Sequence, residues 1–162
     1  MTTKKQLFVA VPLASAIAFG ALGPMGAASS SGPSTAAGGT TTVFIAHGNE
    51  GVGHGTDVKP RGESAGDQFQ SSVPLYQDGE RVGRGDLVGI GLPRLGNSKF
   101  RGMLFGSMNL PDGEITVQSS LIDIENNTYA VTGGTGAYAG ATGIVVFEAL
   151  RRGRVSVTVT LQ

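Results

Sequence analysis

Not one of the 162 residues is cysteine or tryptophan, and only 15% are charged. Without cysteine there is no disulfide to staple a small domain, so any core must hold by itself. A Cys-His nucleophilic pair is excluded, and so is a lipid-modified cysteine after a leader. Both histidines, His47 and His54, fall in one early stretch, which leaves no Ser-His-Asp arrangement to build. Formal net charge is zero and "RRGR" (Arg151 to Arg154) is the one basic run, so nucleic acid is not an expected partner. After Leu22 no segment keeps helical periodicity over ten residues. What is present is glycine, 27 residues of it, together with many short apolar runs in a chain that is 40% hydrophobic. That combination points to an all-β domain rich in turns rather than to a disordered chain.

The first 28 residues read as a secretory signal peptide. Lys4 and Lys5 form a basic start, Leu7 to Leu22 an apolar run, and "GAA" (Gly26 to Ala28) supplies small residues for cleavage. The run is shorter than the roughly 20 apolar residues of a spanning helix, and it carries Pro12. The expected product is a secreted, extracellular protein with no membrane contact after cleavage. Removing Lys4 and Lys5 leaves ten basic against twelve acidic residues. Residues 29–42, rich in Ser, Gly, Thr and Ala, read as a flexible linker, and residues 43–162 as a single domain.

Eight strand-like runs follow: Thr41 to His47, Asp67 to Gln77, Arg81 to Leu92, Lys99 to Asn109, Glu114 to Ile124, Thr128 to Gly133, Gly143 to Leu150 and Arg154 to Gln162. Asp78-Gly79 and Asp112-Gly113 are hairpin turns of the kind that needs positive φ, and "ENN" and "RRG" read as tight connections. Gly48 to Gly66 reads as a polar loop. Alternation is clearest late: Val155, Val157, Val159 and Leu161 against Ser156, Thr158 and Thr160. Eight strands suffice to close a small barrel.

"AVTGGTGAYAGATG" (Ala130 to Gly143) has the look of a phosphate-gripping dinucleotide turn. Such a turn needs a helix behind it, whose N-terminus faces the pyrophosphate. Here "GATGIVVFEAL" follows, with two glycines and a β-branched run, and only 26 residues remain after Gly136. No room is left for a βαβ unit and its acidic ribose ligand. The glycines are therefore expected to serve a connection between strands, with Tyr138 plugging the end of the barrel or packing on a neighbouring strand.

That stretch, with the strands on both sides (Gly113 to Leu150), resembles the second half of allene oxide cyclases and the related dirigent proteins. "GDQFQSSVPLYQDGERVGR" (Gly66 to Arg84) resembles their first hairpin. The resemblance implies an eight-stranded antiparallel barrel, lipocalin-like in form, with an apolar interior that takes a small hydrophobic molecule and needs no cofactor. It implies a homodimer or homotrimer. The implied activity is cofactor-independent cyclisation or isomerisation, or the steering of a coupling reaction, by shape and orientation. The alternative on the same barrel is a non-catalytic ligand-binding or surface-interaction protein; a structural module acting through oligomeric interfaces is a third, since residues such as Ile122 face outward. By the same resemblance the inward lining is Phe69, Ser71, Val73 and Leu75 with Ile115, Val117, Ser119, Leu121 and Asp123. Asp123, if buried, is the candidate catalytic proton donor or acceptor. The family's water-holding asparagine is replaced by Val73, its pocket tyrosine by Leu121.

His47, Glu50 and His54 are zinc-type ligands by residue type, but their spacing is not helical and no fourth ligand is in sight, so no metal is expected. Arg101 and Glu148 are expected to face outward, since charged side chains are seldom buried unpaired. "NNT" at Asn126 matches the glycosylation acceptor pattern.

Overall fold

A computed structural model describes residues 39–58, 62, 64–93, 101–122 and 128–162, with the backbone alone for 121 and 122. Nine strands run through them: β1 (Thr40–His47), β2 (Val52–Thr56), β3 (Gln68–Gln77), β4 (Glu80–Gly91), β5 (Arg101–Leu110), β6 (Gly113–Ile122), β7 (Thr128–Gly134), β8 (Gly143–Ala149) and β9 (Arg154–Leu161). Three single turns of 3₁₀ helix punctuate them, at Gly48–Glu50, Gly136–Tyr138 and Arg151–Gly153. The sheet is antiparallel in the order β1-β9-β8-β7-β6-β5-β4-β3-β2, and β1 also pairs with β3. That second pairing closes eight strands into a barrel and leaves β2 as an appended edge.

The eight expected runs correspond to β1 and β3–β9, with their ends moved by one or two residues where described. Two readings are corrected. Thr40, expected in the linker, begins β1, and together with Thr41 and Thr42, where the expected linker and strand overlap, it pairs in register with β9, Thr40 standing opposite Leu161. The polar loop from Gly48 holds a 3₁₀ turn and β2. Val52-Gly-His-Gly-Thr has no apolar alternation of its own; the upper edge of β3 makes it a strand, pairing Val52 with Ser72 through Thr56 with Gln68.

The Asp78-Gly79 turn has positive φ at both residues, 52° and 86°. The second hairpin differs: Leu110 pairs with Gly113, so Pro111 and Asp112 form the turn. Proline fixes φ near −65°, which rules out the expected double-positive turn. "RRG" is the last 3₁₀ turn, with Arg152 at φ 62°. "ENN" and the Asn126 acceptor lie outside the described residues.

Alternation builds the core. Val155, Val157 and Val159 of β9 are buried against Phe44 and Ala46 of β1, Leu75 of β3, Ile115 of β6 and Val145 of β8. Their own side chains fill the middle of the barrel. The glycine-rich stretch seals one end. No long helix follows β7; a single 3₁₀ turn does, and β8 starts at Gly143. The backbone N–H of Thr135 donates to the Glu114 carbonyl and that of Ala137 to the Asp112 carbonyl, both at 2.8 Å. Gly136 has φ 59°, and a Cβ there would lie 2.2 Å from the Asp112 oxygen, so only glycine fits. Tyr138 packs against the core beneath this connection, as the sequence led us to expect.

Candidate functional site

At the end opposite Tyr138, the ladder sets Phe69, Gly89, Leu104 and Ser119 in one row around the wall. Ser71, Leu87, Gly106 and Val117 form the next. Successive strand residues alternate faces, and the buried members of these rows fix the inward side. Leu104, Val117 and Ser119 are buried, while Phe69, Ser71 and Leu87 are half-buried. Phe69 lies over Gly89, so closely that a Cβ on the glycine would fall 1.9 Å from its ring. The Ser119 hydroxyl donates to the Thr128 carbonyl at 3.0 Å.

Tyr129 shares this inward face, two residues before Val131, which pairs with Val117. It is 7% exposed, and its ring meets Phe147 edge-on with centroids 4.6 Å apart. Burial pushes its phenol up to about 12. At neutral pH it is therefore an uncharged hydrogen-bond donor in apolar surroundings. Sequence reading passed over this residue, although Tyr129 and Val131 alternating with Thr128, Ala130 and Thr132 was a usable signal.

Of the residues expected to line the interior, Val73, Leu75 and Ile115 lie deeper and belong to the packed middle. Leu121 holds a β6 position opposite Gly102. Asp123 lies outside the described residues. Glu148 is exposed, and Arg101 is half-buried with its guanidinium donating to the Pro93 carbonyl at 3.0 Å.

A second constellation lies where β1 meets β3. His47 Nδ1 stands 2.6 Å from Glu50 Oε1, and the Tyr76 hydroxyl donates to Glu50 Oε2 at 2.7 Å. The His47 and Tyr76 rings stack with centroids 4.2 Å apart. Hydrogen bonding to His47 and then to Tyr76 holds the Glu50 carboxyl below its ordinary value. The bond to Glu50 raises the Tyr76 phenol. His54 is on β2, in a different place, and the described residues contain no group of three metal-ligand side chains.

The outer wall is also shaped. A concavity of about 330 Å³ runs across β2, β3 and β4, with Val52, His54, Gln70, Ser72, Asp86 and Val88 around it; Ser71 and Leu87, whose side chains alternate inward, also border it. A second, of about 250 Å³, adjoins it at Val52 and Ser72 and reaches Glu50, Pro74, Arg81 and Arg84. Arg84 Nε bonds Ser72 and, at 3.3 Å, Asp86. Exposed apolar side chains share this face: Val88 pairs with Phe105, with Ile90 and Val52 nearby. Among the described residues no helix is long and apolar enough to cross a membrane.

Residues 52–160 match the family described as "Allene oxide cyclase barrel like domain". No curated protein matches the chain. Among solved structures, one titled "Pyocyanin demethylase" superposes with a TM-score of 0.66 at 21% identity, over 76% of this chain and 100% of that one. The Diels Alderase AbmU from Streptomyces koyangensis gives a TM-score of 0.61 at 12% identity, over 75% of this chain and 63% of that one. Both likenesses are of fold.

Proposed function

Since the chain belongs to the allene oxide cyclase barrel-like domain family, we propose that it is a secreted barrel holding a small, mostly apolar molecule at the end opposite Tyr138. Phe69, Leu87 and Leu104 supply the apolar wall, and Ser71 and Tyr129 the polar contacts. Tyr129 carries the reading: a neutral phenol on the inward face, edge-on to the half-buried Phe147, at the end of the barrel where Phe69, Ser71 and Leu87 are half-buried as well. Such a donor orients one ligand oxygen without transferring a proton. That is the help a cofactor-independent cyclisation needs, where holding one folded conformer lowers the barrier. The reaction is an isomerisation within one molecule, so no atom enters or leaves.

Native mass spectrometry of the purified protein tests this, together with titration by N-phenyl-1-naphthylamine, a neutral apolar fluorophore. A co-purified small molecule, or a saturable rise in fluorescence, is expected. Ser71→Phe fills the half-buried end and should weaken dye binding about tenfold, as a pocket that loses its volume does. No bound molecule and no saturable dye signal would sink the reading.

A second reading has its own observation. The outer face carrying Val52, Val88, Ile90 and Phe105 is exposed and apolar, which suits a non-catalytic protein acting through contacts between copies.

A further inference from the structure

The barrel is closed unevenly. β1 and β9 share eight register pairs and β5 and β6 share ten, but β1 meets β3 at two, Ile45 with Tyr76 and Ala46 with Leu75. The β3–β4 ladder also slips between Leu75 and Tyr76, so Tyr76 stands at an irregularity on one side and at the short seam on the other. Directly behind lie Phe44, Ala46 and Leu75, all buried. Beyond the seam β1 leaves the wall through the Gly48–Glu50 turn, and β2 continues along β3. Glu50 crosses this weak place. One carboxylate oxygen meets His47 at the end of β1, the other Tyr76 on β3.

We propose that the β1–β3 seam is a lateral door in the barrel wall, and that Glu50 is its latch. Beside so short a ladder, the side-chain bridge is a further link between the two strands. A ladder of two pairs opens more readily than the long ladders on either side of it. Opening exposes the apolar side chains behind the seam and gives a sideways route to the interior, while the Tyr138 end stays sealed. As a ligand route this rests on the reading in the preceding subsection; the opening itself does not.

The door has a direction with pH. The groups facing Glu50 are His47, Tyr76 and Arg81, with Arg84 across the same concavity. The 3₁₀ turn also packs against β9 and the Arg151–Gly153 turn, which bring Arg154, Arg151 and Arg152. This setting favours the carboxylate. A carboxyl whose folded value is depressed contributes above its unfolded value and stops contributing as pH falls through the folded one. The door therefore opens in acid.

Amide hydrogen exchange at Ile45, Ala46, Leu75 and Tyr76, with β5 and β6 as reference, tests the latch. In Glu50→Ala the seam amides should exchange about fivefold faster, a modest factor for an exposed bridge, with the reference unchanged. Tyr76→Phe, which removes only the hydroxyl, should move them the same way. Unchanged seam rates, or acceleration spread evenly over the reference strands, would overturn the proposal. The route is tested separately in the cysteine-free chain by Ile45→Cys with Tyr76→Cys, residues directly opposite each other. Oxidation should slow dye uptake and reduction restore it; equal uptake in both states would remove the door as a route. A protein that never takes up dye would overturn the ligand reading, and the exchange rates would still decide the latch.

Discussion

Phe69 and Gly89 are one packing unit written in two places. The ring occupies the space a side chain at 89 would need. Gly89→Ala should therefore destabilise the protein by about 1–3 kcal/mol, as overpacking does. Urea denaturation measures this, and Phe69→Leu in the same chain should recover part of the loss; additive losses would disprove the pairing. Single residues were unevenly legible. The valines of β9 announce themselves by period. Tyr129 was overshadowed by the glycines after it, and the His47–Glu50–Tyr76 bridge was invisible because closure of the barrel brings Tyr76 across 26 residues to Glu50.

β2 is a strand that its own composition argues against. Two glycines in five residues and full exposure give no pattern to read, and only a partner edge makes it extended. The eight barrel strands, by contrast, carry buried alternate positions and were readable to within a residue or two. What returns the chain from β2 to β3 is Asp67. Its carboxylate accepts from the backbone N–H of Val58 at 2.9 Å and of Ser64 at 2.7 Å. Burial works against the charge, but these bonds outweigh it and keep the carboxyl below its ordinary value. The contribution is complete above the ordinary carboxylate range and is lost as pH falls through the lowered value. Exchange at Val58 and Ser64 should accelerate, relative to intrinsic rates, as that range is crossed. Asp67→Ala should reproduce the acid behaviour at neutral pH, and identical profiles in the two proteins would rule Asp67 out.

Taken whole, the molecule has a filled middle, one sealed end and an outer wall with an apolar face. If that face joins copies, sedimentation velocity should find a dimer or trimer, and Phe105→Lys should return it to monomer with the fold intact. A wild-type monomer at micromolar concentration would remove the second reading. Architecture was legible here because the glycine connection and its flanking strands only make sense together. The ligand was not, because it depends on how eight inward faces meet.

The pairing of β1 with β9 over the whole length of both strands has one more consequence. From β3 to β9 every neighbour in space is a neighbour in sequence, and β1 completes the circuit. Such a chain is a ring cut once. Moving the cut to the exposed Asp78-Gly79 turn, and joining β9 to β1 by a short link, would leave every strand its partners. Which strand comes first is not fixed by the pairing of the barrel strands.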